Sequence, residues 1–403
     1  MILSLSILFI FFTFWMYTYI KNNEYQKVYG INALLLIIIF IGPAIFYLSG
    51  GEAYKVFSNN AIIKYHYLGS FIFLVNTGFL LLRKKLFFNK ITPKIDDKAL
   101  SKFSLPVKIY FGTMFLGILI YILMYLNEFP LIVFIQKHIV IERPDGTGAV
   151  PHFYTMSTIM MMVFPSVFFF LYDNLKKNWL LKTITFMSII LFMTIAGHKG
   201  IVVFFFIFIW FYVFKLRINL KLIGLFVVSI IIYAVAKGET ELSGNNLLAM
   251  LHSSFGRMFV TQGAGLIERI HLISIDYIFS DIAPIKNQVC SLVYDVKLNM
   301  CSMPTYFIGD IIVNYGYTFA LFIYTIIGIP LFYIFNIIDK YFPKSVFIKW
   351  SVFMSLFLFS MAEISIFSLL RLFAIIINVI IIYHLSKTEI VKKGKSYKII
   401  YNK

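Results

Sequence analysis

The sequence is dominated by eleven long apolar runs, and these decide what the chain can become. They cover residues 2–20, 30–49, 65–82, 109–127, 153–172, 180–196, 201–214, 222–236, 309–337, 346–362 and 367–384. A helix needs roughly 20 apolar residues to cross the hydrocarbon of a bilayer, and most of these runs have that length. Of the 403 residues, 60% are hydrophobic and 13% charged. A soluble protein of this size has no way to hide so much apolar surface. The pattern excludes a soluble enzyme, a disordered chain and a secreted disulfide scaffold. It predicts an all-α polytopic membrane protein with about 11 transmembrane helices, read as one integral membrane domain over residues 1–403. The run 201–214 is short. The run 309–337 is long, and a break or tilt is expected near Gly316 or Pro330. Residues 2–20 carry no basic leader and no small-residue cleavage site, and are expected to persist as the first span.

Charge sorts the loops between the spans. The 36 Lys and Arg against 18 Asp and Glu give a net charge of +18. Alternate loops hold 25 of those basic residues, with eight between Arg83 and Lys108 and six from Lys387 to Lys403. The other set of loops holds ten, and Arg371 lies within a run. The positive-inside rule then predicts an outside amino terminus and a cytoplasmic carboxyl terminus. It also explains the excess charge through lipid headgroups, with no nucleic-acid partner. The 83–108 segment, with Pro93, Pro106 and Asp96-Asp97, reads as a solvated linker. The largest outer loop spans 237–303, and short helices are expected within it.

Candidate chemistry gathers in the outer loops. Residues 246–274 are apolar but punctuated by His252, Arg257, Thr261, Glu268, Arg269 and His271. At 100° per residue, Arg257, Thr261, Glu268 and His271 share one narrow helical stripe, unless Gly263 and Gly265 break the helix. A lined cleft is the functional reading, and arginines reaching to phospholipid headgroups are the plain one. Glu142-Arg143-Pro144-Asp145-Gly146 is a turn that presents a guanidinium able to bind phosphate or carboxylate. Gly197-His198-Lys199-Gly200 closes a helical hairpin and offers positive charge to an anion, or is simply a tight turn.

Asp310 sits near the outer end of a span. It is a candidate acid–base group, or a helix-start acid facing the dipole. Glu363 and Arg371 are read as a structural pair in the last hairpin. Cys290 and Cys301, the two cysteines, both fall in the 237–303 loop, where a disulfide and two unlinked thiols are equally compatible with the spacing. No His, Cys or carboxylate spacing suggests a metal site, and no cofactor is expected.

With this layout, Ala196-Gly197-His198-Lys199-Gly200 and Phe307-Ile308-Gly309-Asp310 with Asn314-Tyr315-Gly316 resemble the Wzy-type polymerases of O-antigen and capsular polysaccharide repeat units. The resemblance extends to the whole hydropathy layout, with a large outer loop before the last three spans. Some members of that family carry Arg followed eleven residues later by Gly. Here Arg143, Arg257 and Arg269 are followed at that distance by Tyr154, Glu268 and Ser280.

The resemblance implies a GT-C-like glycosyltransferase of the bacterial cytoplasmic membrane. Its substrate would be an oligosaccharide on undecaprenyl pyrophosphate, with a chain-length regulator and a flippase as partners. It implies catalytic roles for Arg257, Glu268 and Asp310. Arg143, Lys199, His198, Arg269 and His252 would bind pyrophosphate or glycan. An O-antigen ligase and a transporter of lipid-linked oligosaccharide are the alternative readings.

Overall fold

The computed structural model describes chiefly residues 1–22, 35–48, 57–86, 105–137, 165–173, 179–195, 205–215, 220–225, 263–295, 305–341, 346–361, 388–393 and 396–401. By internal contacts the chain divides into two compact units. One comprises Met1–Lys94, His252–Pro343 and Ser355–Phe373, and the other Ile95–Leu251, Lys344–Met354 and Ala374–Lys403.

The first unit opens with α1 (Ile2–Lys21). A π-helical turn at Ile37–Ile41 leads into α2 (Gly42–Leu48), and α3 spans Asn59–Leu86. Ser58 caps α3, its Oγ accepting the Ala61 N–H at 3.3 Å, which satisfies one of the orphan donors of the first turn. Helices α1 and α3 run parallel. Ser4 meets His66 at 3.0 Å, and the Trp15 and Phe73 rings lie 5.0 Å apart further along both. Parallel neighbours in one chain require a return path, and the described residues 35–48 lie between the two in the chain.

In the second unit, α4 (Leu105–Met124) starts with Pro106 in its first turn, where proline removes no helical hydrogen bond. It is followed by α5 (Pro130–Lys137), α6 (residues 165–173) and α7 (Trp179–Ile195). The core of this unit is aromatic. Phe169 touches Phe205, Phe208 and Trp350 at centroid separations of 5.6, 5.0 and 5.5 Å, mostly tilted or edge-on as ring quadrupoles favour.

The large loop contributes two short helices to the first unit, residues 263–274 (α8) and α9 (Ile285–Tyr294). They close on a small core of Ala264, Leu272, Val289, Cys290 and Met303. The buried Gln288 amide organises the turn between them, donating to the carbonyls of Ser280 and Ala283 and accepting the Ser280 N–H. Cys290 is disulfide-bonded, and the sequence holds one other cysteine, Cys301.

The long apolar run near the end of the chain is broken, as its length suggested. Helix α10 (Ile308–Tyr315) stops at Gly316, and α11 (Tyr317–Tyr341) continues straight through Pro330. Gly316 has φ 86° and ψ 163°, a conformation essentially reserved for glycine. Helix α11 runs parallel to α3: Tyr317 Oη donates to Lys64 O, Asn76 donates to Tyr324 Oη, and Phe79 stacks on Phe332. A further apolar helix, α12, covers Val346–Met361. Asp173 at the end of α6 accepts the Phe347 N–H at its start, at 3.2 Å.

Three helices among the described residues are long and apolar enough to cross a membrane: Ile2–Lys21, Asn59–Leu82 and Leu105–Met124. Ile37–Leu48, Trp179–Ile190 and Tyr317–Ile329 are shorter apolar helices. Most of runs 153–172, 222–236 and 367–384 lies outside the described residues, as do Glu363 and Arg371.

The described residues are mostly helical, as expected, with one addition at the end of the chain. The carboxyl-terminal tail, which carries six of the basic residues, forms an antiparallel hairpin of β1 (Thr388–Lys393) and β2 (Ser396–Tyr401). Its register sets Ile390 opposite Ile399 and Thr388 opposite Tyr401. Alternating β-branched and aromatic residues favour such pairing, and the lysine count obscured that period.

Gly316→Ala is expected to cost about 1–3 kcal/mol, because the alanine would occupy a glycine-only conformation. Gly78→Ala is expected to be neutral, since a Cβ there meets nothing within 4 Å. Thermal unfolding in detergent checks both: a clear fall in Tm for the first and none for the second.

Candidate functional site

The site is built where α8 meets the starts of α10 and α3. Arg269, in the middle of α8, is 1% exposed, and its guanidinium is used internally. Nε donates to Asp310 Oδ1 at 3.2 Å. Nη1 donates backwards along its own helix to Gly265 O at 2.8 Å, and also to Met303 O at 3.2 Å.

Two glycines create the space. A Cβ on Gly265 would lie 3.3 Å from Nη1 and 3.2 Å from Met303 O. One on Gly309 would lie 2.9 Å from Arg269 Cδ and 2.5 Å from Thr305 Cγ2. The adjacent Gly309 and Asp310 therefore act together: the glycine admits the arginine stem and the aspartate meets its head.

Asp310 also occupies the first turn of α10, where a carboxylate faces the positive end of the helix dipole. Its backbone carbonyl accepts the Asn314 amide at 2.9 Å. The helix-start reading of this residue therefore holds, and the structure adds a buried partner. The acid is a helix-start residue and the counter-ion of a buried cation. Removing one member of such a pair leaves the other as an uncompensated buried charge.

Glu268 and His271 lie one turn apart on α8, on a different face from the ion pair. Glu268 is buried, and burial pushes its carboxyl above the usual carboxylate range, partly opposed by His271. His271 is partly exposed, and its Nδ1 lies 3.2 Å from the Oγ of Ser58, the residue that caps α3. One serine hydroxyl therefore joins the start of an apolar helix to a loop histidine. Ser58 does not stand out in the sequence, because its role depends on a contact across 213 positions. A local signal did exist, a serine three residues before an apolar helical period.

Of the residues selected from sequence, the structure brings together Glu268, Arg269, His271 and Asp310, and it adds Ser58. Arg143, His198, Lys199, His252 and Arg257 lie outside the described residues, as does Thr261. Helix α8 is described from Gly263 onward, so only the Glu268–His271 half of the polar stripe is described. No group of three or more His, Cys, Asp or Glu that could hold a metal occurs among the described residues. Comparison with protein-family models, curated proteins and solved structures returns no match.

Two outcomes follow. Arg269→Met and Asp310→Leu should each destabilise the protein by about 3–5 kcal/mol, and the double substitution should recover most of that loss. A double-mutant cycle on thermal unfolding in detergent reads this; additive losses would mean the pair is not coupled. Glu268 has its folded carboxyl raised above the unfolded value. Its contribution is therefore fully present at pH below the unfolded carboxylate range and is lost as pH rises through the folded value. Glu268→Gln should abolish that loss, and the variant should be the more stable protein at neutral pH in a Tm-against-pH series.

Proposed function

We propose that this chain is a polytopic membrane glycosyltransferase that polymerises oligosaccharide repeat units carried on a lipid pyrophosphate, as the resemblance to Wzy-type polymerases suggests. In this reading about eleven spans cross the cytoplasmic membrane of a bacterium in a GT-C-like arrangement. The amino terminus lies outside and the carboxyl terminus inside. A chain-length regulator and a flippase are its partners, and neither nucleic acid nor metal takes part.

The observation that carries the reading is the convergence of the loop helix α8 on the starts of α3 and α10. It gathers Glu268, His271, Ser58, Arg269 and Asp310 at one end of the helices. The charge pattern assigns that end to the outer face. The parallel packing of α1, α3 and α11 supports the same assignment, since it pairs ends that the basic-residue count places on one side. The disulfide at Cys290 also supports it, because such bonds persist on an oxidising side.

The chemistry needs three things. A sugar hydroxyl must lose a proton as it attacks the anomeric carbon. The departing pyrophosphate needs cations where its charge grows. The lipid tail needs an apolar lateral surface. Arg143, Lys199 and Arg257, with His198 and His252, remain the proposed pyrophosphate and glycan contacts. Arg269 and Asp310 take a different part. Their mutual commitment supports a positioning role that holds α8 against α10, in place of direct contact with substrate.

Purified protein reconstituted with a lipid-linked repeat unit is expected to yield a ladder of longer glycans and free lipid pyrophosphate. Transfer of the lipid-linked unit across the bilayer without chain growth would favour a transporter. Growth only on a lipid A-core acceptor would favour a ligase.

A further inference from the structure

Within the proposed transfer reaction, on which this inference rests, we infer that His271 is the group that takes the proton from the attacking sugar hydroxyl, with Ser58 as its positioning residue. The resemblance gives catalytic roles to Glu268 and Asp310, the two carboxylates that could take that proton. Geometry disfavours both. Asp310 is buried against the Arg269 guanidinium, and a carboxylate so paired is a poor proton acceptor. Glu268 is buried, while its neighbour one turn on is not. His252 lies outside the described residues.

His271 differs from all of these. It is partly exposed, and one ring nitrogen is engaged: Nδ1 lies 3.2 Å from Ser58 Oγ. No hydrogen bond involves Nε2 among the described residues. We assign the Nδ1–H tautomer, in which Ser58 Oγ accepts from the ring as it also accepts from the Ala61 N–H. That leaves the Nε2 lone pair with no partner among the described residues and in position to receive a proton.

Ser58 cannot drift, because the same oxygen caps α3. The ring is thereby tied to the rigid end of a 28-residue helix, although it belongs to a loop. Glu268, three positions back on α8, supplies negative charge beside the imidazolium as it forms.

The step balances as follows. The acceptor hydroxyl oxygen forms a bond to the anomeric carbon of the donor chain. The bond from that carbon to the pyrophosphate oxygen breaks, and its electron pair stays on the departing lipid pyrophosphate. The hydroxyl proton passes to Nε2 of His271 and is later released to water. His271 touches the reacting hydroxyl and is catalytic in this scheme. Ser58 acts through the ring.

The test uses the full-length protein in proteoliposomes with a lipid-linked oligosaccharide repeat unit, reading both chain growth and binding of that substrate. His271→Gln should lower the rate of chain growth at least 100-fold while the Kd for the lipid-linked unit changes less than about threefold. His271→Asn, which retains a polar atom near the Nδ1 position, should fold with the wild-type Tm and remain inactive. Ser58→Ala should lower kcat with KM nearly unchanged, and Ser58→Thr should restore most of it.

If the wild type builds glycan and His271→Gln builds it equally well, the inference is overturned and the polymerase reading stands. If His271→Asn is active, the free nitrogen is not the acceptor and the inference also fails. If the wild type never extends a chain, the polymerase reading falls and this assignment falls with it.

Discussion

A guanidinium cannot be left without counter-charge in an apolar interior, and that constraint organises the described part of the site. Arg269 is drawn simultaneously to Asp310, to the carbonyl one turn back at Gly265, and to the carbonyl of Met303. These partners come from three separate stretches of chain. Satisfying one cation therefore fixes the loop helix, the start of α10 and Met303 in a single arrangement. Met303 also belongs to the small core with Val289 and Cys290, and Cys290 is disulfide-bonded.

The helices supply the frame. Within the first unit, α1, α3 and α11 pack in parallel through aromatic contacts and a few shared hydrogen bonds, such as Asn76 to Tyr324. Between helices in lipid such a bond contributes only about 0.6 kcal/mol on average, so specificity of register matters more than its strength. The break at Gly316 separates α10 from α11. That separation frees the short helix carrying Asp310 to meet α8, while the longer one aligns with α3.

Legibility varied with the range of the interaction. Apolar runs were readable because their signal is local, and α1, α3 and α4 follow runs 2–20, 65–82 and 109–127 within a few residues. The expected break resolved to Gly316 because a positive φ there excludes other residues, whereas Pro330 sits in an uninterrupted helix. The terminal hairpin is hard to read because its two-residue period is hidden among lysines. Arg269 and Asp310 read in sequence as separate candidates for contact with substrate. Sequence spacing carries no sign that residues 41 positions apart neutralise each other.

The amino-acid sequence alone determined the apolar character of this protein, the helices that its apolar runs impose and the grouping of its basic residues between them. Those are properties of composition and short period, written residue by residue. Only the tertiary structure decided which polar groups are spent on one another and which stay accessible. It committed Arg269 to Asp310 and set His271 on Ser58, because the balance between burial and pairing is struck between distant segments and has no local expression in the chain.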